Sequence, residues 1–219
     1  MTIRQIIWDI KKLLGSDSTI LSRDNGERDI ANRVDFWRMA HITKMLETKG
    51  LSALRPEWMQ HIDNRRTHVG LSKSLSIPYK VSELTPGGRI AFFDRAPVCR
   101  LYGSTYEEQL DSTEVALYRY YVNRNRSYGG RSCTSFDGLS IVIAPMVDYV
   151  SGDVLIADPR SFMVDINSTT RPFDIDNDSY PVDGELAEAI IASVCEEFGV
   201  RQKIAYEKVR FNPNDGDQP

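Results

Sequence analysis

The sequence predicts an α+β chain: a helical bundle from N- and C-terminal helices, with an inserted antiparallel β-rich, sandwich-like region. Three observations predict it. Wide apolar stripes at helical spacing run from Thr2 to Lys49 and again after Asp183. Short β-branched and aromatic runs, separated by Pro, Gly and Asp, fill the middle. The two apolar helical segments lie at opposite ends of the chain, and the economical way to bury both is against each other.

Thr2 to Leu14 reads as the first helix, with Ile3, Ile6, Ile7, Ile10, Leu13 and Leu14 as its stripe and Trp8 beside them. Gly15 to Ser18 breaks it. A long helix follows from Asp24 to Lys49. Ile30, Val34, Trp37, His41 and Met45 step by three and four, and Ala31, Ile42 and Leu46 widen the stripe. Asp29, Arg33, Asp35, Arg38, Lys44 and Glu47 are assigned to the wet side. There Asp29 with Arg33, and Asp35 with Arg38, suit surface pairs worth roughly a few tenths of a kcal/mol each. Asp24 with Glu27, or Ser22, suits a capped start, and Gly50 suits the stop. Arg55-Pro56 ends any continuation. Pro56 to Asp63 reads as a short third helix with Trp58, Met59 and Ile62 inward.

From about Val69 the texture changes. Ser74–Val81, Arg89–Asp94, Val98–Tyr102, Val115–Val122, Leu139–Ala144 and Val154–Ile156 read as short strands, with Thr85-Pro86-Gly87-Gly88 as a turn. Asp158-Pro159 closes the sheet region, and Ser161 to Ile166 reads as extended. After Arg171-Pro172 comes an acidic loop. A helix then runs from Asp183, its cap, to about Lys208, with Leu186, Ile190, Val194 and Phe198 inward and Gly199 as a place to kink or divide. The tail after Phe211 contains only Asn, Pro, Asp, Gly and Gln and reads as an extended arm. The divisions are 1–68 (N-terminal helices), 69–170 (β-rich insertion), 171–210 (C-terminal helix) and 211–219 (arm).

With 219 residues, 41% of them hydrophobic, the chain can bury one large core or a core with a sizeable insertion. A formal net charge of −4 argues against a protein that clamps nucleic acid with a basic face. Locally, Arg119, Arg124, Arg126 and Arg131 crowd one segment, interleaved with Tyr118, Tyr120, Tyr121 and Tyr128. Arginine among aromatics suits base stacking, whereas cross-strand packing is the commoner use of such tyrosines. Cys99, Cys133 and Cys195 are odd in number and far apart, with no CxxC spacing, and read as reduced thiols. No leader peptide and no apolar run of membrane-spanning length is recognisable, so the expectation is a soluble chain that stays where it is made or is released by lysis.

No phosphate loop, GxGxxG, HExxH or GxSxG pattern occurs. His41 sits on an apolar stripe, where a hydrogen-bonded core histidine is expected. His61 and His68 lack a third ligand nearby in sequence. Cys133 carries no sign of activation as a nucleophile, and no local feature singles out a catalytic pair of carboxylates. The sharpest chemical alternative is the acidic loop. Asp174, Asp176 and Asp178 fall at positions one, three and five of a calcium loop, and Glu185 at position twelve. Ser179 replaces the usual glycine, Pro181 removes a backbone donor, and an extended segment precedes the loop where a helix belongs. A calcium-binding module or enzyme centred on Asp174–Glu185 is therefore the alternative reading.

Whole segments also carry a resemblance. Asp17-Ser18-Thr19-Ile20-Leu21-Ser22-Arg23 leads into the long helix, and the strand-rich middle ends in Ala157-Asp158-Pro159-Arg160. Asp178-Ser179-Tyr180-Pro181-Val182-Asp183 then precedes an apolar helix, and Asn214-Asp215-Gly216 lies in the tail. This layout resembles the structural ring proteins of tailed bacteriophages, of the kind found among crAss-like phages and other phages of Bacteroidetes. The resemblance implies a virion protein: a head-to-tail connector or adaptor subunit, in a ring of dodecamer type, between portal and tail. It implies contacts with the portal protein and other connector or tail rings. It also implies passage of double-stranded DNA through the ring without sequence-specific binding. The family is not defined by catalytic residues, so no catalytic, cofactor-binding or metal residue follows from it, and the expectation is a protein that is not an enzyme.

Overall fold

The computed structural model describes residues 1–15, 26–71, 80–103, 109–113, 132–144, 147–166 and 169–210. It is a mixed α and β structure with two compact units. One comprises Met1–Ile42 and Val182–Pro219, the other Thr43–Pro181. The chain thus leaves the helical unit, builds the β-rich unit, and returns.

In the helical unit, α1 spans Ile3–Leu14. Thr2 caps it: its hydroxyl accepts from the Gln5 amide, and the Gln5 side chain accepts from the Thr2 amide at 2.7 Å. This reciprocal box satisfies two donors that a helix start otherwise leaves open. Ile3, Ile6, Ile7 and Ile10 are buried. Each such side chain contributes about 1.5–3 kcal/mol at most, far more than any surface pair, so this stripe decides which way the helix faces. α2 spans Gly26–Lys49 and stops at Gly50, whose φ of 70° only a residue without Cβ adopts freely. Its proposed capping residues, Ser22 and Asp24, lie outside the described residues. α3 spans Gly184–Arg210. Asp183 caps it, accepting from the Leu186 amide at 2.8 Å, as its sequence position predicts. Gly199 does not divide α3. α1 packs against α3.

The wet face assigned to α2 needs correcting. Arg38 is fully buried and Asp35 nearly so. Arg33 reaches Glu197 of α3 at 3.3 Å, where a surface pair with Asp29 was expected. The Trp37 indole donates to the other oxygen of Glu197 at 3.0 Å. Tertiary partners displaced the local i, i+4 geometry because a local pair is worth only tenths of a kcal/mol.

The segment expected as a third helix is also different. Pro56–Trp58 is a single 3-10 turn, and Gln60–Arg66 is strand β1. Gln60 and Ile62 are buried while His61 is exposed. That period of two belongs to a strand; Trp58 and Met59 are buried ahead of it, as expected.

The remaining strands are β2 (His68–Leu71), β3 (Lys80–Leu84), β4 (Phe92–Phe93), β5 (Ala96–Pro97), β6 (Cys99–Tyr102) and β7 (Gln109–Ser112). They continue as β8 (Ser132–Thr134), β9 (Ile141–Ala144), β10 (Tyr149–Val154), β11 (Met163–Ile166) and β12 (Thr169–Pro172). Eight of them form one sheet in the order β1-β10-β6-β7-β8-β9-β3-β2. Every pairing is antiparallel except β7 with β8. The two edge strands, β1 and β2, are separated in sequence by Thr67 alone. The sheet therefore curls almost into a barrel, where two stacked sheets were expected. Thr67 makes the corner: its amide donates to the Asp148 carbonyl at 2.9 Å and its hydroxyl to the Val147 carbonyl. β4 with β5, and β11 with β12, form separate two-stranded ribbons.

Ile62, Leu84, Ile90, Leu101, Leu110, Cys133, Ile141, Ile143, Val150, Val154, Ile156 and Phe162 share the core of this unit. All four residues of β9 are buried, which explains why that run is apolar without alternation. The turn at Gly87 and Gly88 is where the sequence puts it, with φ of 83° and 74°. The Val115–Val122 run, most of Ser74–Val81 and the tail from Phe211 lie outside the described residues.

Gly152 sits in mid-strand, facing Ile62 on one side and Leu101 on the other. Its φ is 134°, and a Cβ there would fall on the Arg100 carbonyl oxygen. Gly152→Ala must therefore push β6 away from β10, and we expect it to cost at least about 1–3 kcal/mol. Urea unfolding of the two proteins checks this; an unchanged midpoint would contradict the close strand approach.

Candidate functional site

The local order of β1 breaks between Ile62 and Arg65, where its register with β10 slips. Asp63 and Asn64 fill the slip, Asn64 with φ of 44°. That left-handed conformation suits Asn better than most side chains. The Asn64 amide donates to Ser151 Oγ at 2.9 Å instead of a ladder partner. A bulge of this kind re-aims the next side chain. Here that side chain is Arg65, at the floor of a cleft of about 480 Å³ lined by Asp63, Arg66, His68, Tyr149, Asp165 and Thr170 among others.

Arg65 is held on every side. Its Nε lies 3.1 and 3.0 Å from the two Asp165 oxygens, and Nη2 donates to Asp165 Oδ2 at 2.7 Å. Nη2 also donates to the Met163 carbonyl, and Nη1 to the Pro86 and Thr85 carbonyls at 3.2 and 3.4 Å. The guanidinium carbon stands 5.5 Å from the centre of the Phe162 ring. Asp165 in turn accepts from the Thr170 hydroxyl at 2.8 Å and the Asp63 amide at 3.3 Å. Both side chains are nearly buried, 10% and 6% exposed. This pair joins β1, the Thr85-Pro86 turn and the β11–β12 ribbon. Its hydrogen-bonding capacity is spent on joining these segments. The rim around it, Arg66, His68 and Tyr149, is exposed and can meet a polar or anionic surface. Nothing in the sequence singled out Arg65; only the bulge gives it this place.

The residues chosen from sequence go to other uses. His41 Nε2 lies 3.1 Å from Ser193 Oγ of α3, a partner within the helical unit as expected for a packed histidine. His61 pairs across the strands with Asp153, Nδ1 to Oδ1 at 2.8 Å, on an exposed face. His68 lies in the cleft, so the two histidines do not converge on a third ligand. Among the described residues no three His, Cys, Asp or Glu side chains gather as a metal site. Arg119, Arg124, Arg126, Arg131 and their tyrosines lie outside the described residues.

The acidic loop folds as a turn closed on itself. Asp174 Oδ1 accepts the amides of Asp176 and Asn177 at 2.9 and 3.3 Å, and its Oδ2 accepts the Asn177 side chain at 2.8 Å. Asp178 accepts both Arg171 Nη groups, at 2.7 and 2.5 Å, and the Asp174 amide at 2.6 Å. Asp174 and Asp178 thus hold an arginine-pinned turn ahead of α3. Hydrogen bonds from Arg171 hold the Asp178 carboxyl below its ordinary value of 3.8. Hydrogen bonds from Asn177 and the Asp176 amide do the same for Asp174.

Two predictions follow from this geometry. Removing the acid by Asp165→Ala leaves the Arg65 charge nearly buried without its counter-ion, which costs about 3–5 kcal/mol. Chemical denaturation measures it, and a loss under 1 kcal/mol would mean that Arg65 rehydrates freely. For the turn, the lowered carboxyl of Asp178 stabilises the fold in full above 3.8 and ceases to do so as pH falls through its folded value. Asp178→Asn therefore lowers the thermal midpoint at pH 7, and the difference from the parent shrinks steadily below pH 3.8. A difference that stayed constant down to strongly acidic pH would rule out this contribution.

No protein-family model matches the chain, and no curated protein is significantly similar to it.

Proposed function

We propose that the chain is a virion structural protein, a ring subunit in the head-to-tail connector of a tailed phage. One observation carries the assembly part of this reading. Trp8 is 60% exposed on the side of α1 away from its buried isoleucines. At one hundred degrees per residue, Trp8 stands about 150° from the mean direction of Ile3, Ile6, Ile7 and Ile10. Leu13 on α1 and Phe36 on α2 are 67% and 55% exposed. A helical unit that buries one apolar face and offers further large apolar groups outward is suited to packing beside copies of itself. The layout of the sequence supports the phage part.

On this reading the three helices form a bundle that stands beside its neighbours around a channel. The β-rich unit contacts portal or tail rings, and DNA passes without strong phosphate contacts. An acidic chain suits that passage, because a channel that gripped phosphates would hold the genome in place. No helix of the described residues is long and apolar enough to cross a membrane.

Trp8→Glu tests the assembly. Trp8 is exposed, with Lys12 stacked 5.2 Å from its ring, so the change should alter folding stability by no more than about 1 kcal/mol. Light scattering and native mass spectrometry of the parent at rising concentration, or with portal protein, should show closed higher-order species. The variant should stay monomeric at the same concentrations. Equal assembly by both proteins, or a parent that remains monomeric even with portal, would overturn the reading.

A further inference from the structure

The three cysteines are far apart in sequence, yet two of them meet. Cys99 Sγ on β6 and Cys133 Sγ on β8 lie 3.6 Å apart, although the two residues are 34 positions apart in the chain. Cys133 is fully buried in the core of the β-rich unit, and Cys99 is half-buried at its side. Cys195 belongs to α3, in the other unit. Hydrogen bonding to Cys99, together with burial, pushes the Cys133 thiol well above its ordinary value. Among the described residues the pair belongs to no cluster of three potential metal ligands.

We propose that Cys99 and Cys133 are a reversible disulfide pair, with Cys99 the outer, attacking thiol and Cys133 the resolving one. The oxidant is a small-molecule disulfide. The Cys99 thiolate attacks one of its sulfurs, forming a mixed disulfide and releasing one small thiol. Cys133, passing its proton to the departing sulfur, then attacks Cys99 Sγ and expels the second small thiol. In sum, two protein thiols and one external disulfide become one protein disulfide and two external thiols. The sulfurs must close from 3.6 Å to about 2.05 Å. The bridge must span β7, which lies between the two strands in the sheet, so the strands must also reach the Cα separation of about 4.4–6.8 Å that a disulfide allows. The bond would tie together the two strands on either side of β7, and it would restrict the unfolded chain over a long loop. The inference does not depend on the assembly reading.

The test incubates the intact chain with excess oxidised glutathione, denatures it, alkylates the remaining thiols and maps the peptides by mass spectrometry. The expected product has lost two hydrogens, links the Cys99 and Cys133 peptides, and reverts with reductant. Its thermal midpoint should rise above that of the reduced chain. Cys133→Ser should stop at a glutathione adduct on Cys99. A parent chain that itself stops at the Cys99 adduct, keeps both thiols alkylatable, or links either of them to Cys195 would overturn the proposal. Because Cys133→Ser alters the core, reading the same outcomes in the parent alone keeps the test decisive if that variant folds poorly.

Discussion

The β-rich unit depends on one buried ion pair, Arg65 with Asp165. Taking both charges out of water costs several kcal/mol per ion, and their attraction offsets this only where further hydrogen bonds satisfy what remains. Those bonds are present here. Three backbone carbonyls, from Thr85, Pro86 and Met163, complete the guanidinium, while the Thr170 hydroxyl and the Asp63 amide complete the carboxylate. The consequence is geometric. Three segments that share no ladder are held at fixed distances by one side chain, and the β11–β12 ribbon is docked onto β1. The bulge at Asp63 and Asn64 is what allows this, because without the register slip Arg65 would take the alternate face of the strand.

The same economy recurs elsewhere. Asp174 and Asp178 look like ligands in sequence and act as turn-makers in space. Glu197 gathers Trp37 and Arg33 from α2 onto α3. His41 finds Ser193. In each case a polar group is engaged by a structural partner within its own unit. The cleft rim and the outward Trp8 are left as exposed surfaces.

The helices were legible because their signal is local and repeated. Four isoleucines at steps of three and four, Thr2 with Gln5, Asp183 ahead of an apolar run, and Gly50 after one each specify a boundary or a face without reference to distant residues. The β-rich region was legible only as short strands. Its closure follows from pairings between positions far apart in sequence, such as β1 with β10, and a run like Ile141–Ala144 reads the same in a sandwich as in a curled sheet.

The sequence by itself determined the helix stripes and caps, the turn at Gly87 and Gly88, and the mixed α and β character, because each rests on neighbours a few residues away. Only the tertiary structure decided that Gln60–Arg66 is a strand, that Arg38 is buried, that Arg65 meets Asp165, and that Cys99 lies against Cys133. Those outcomes weigh weak local preferences of tenths of a kcal/mol against burial and buried charge pairing worth several. The larger quantity belongs to contacts that form only once the chain has closed on itself.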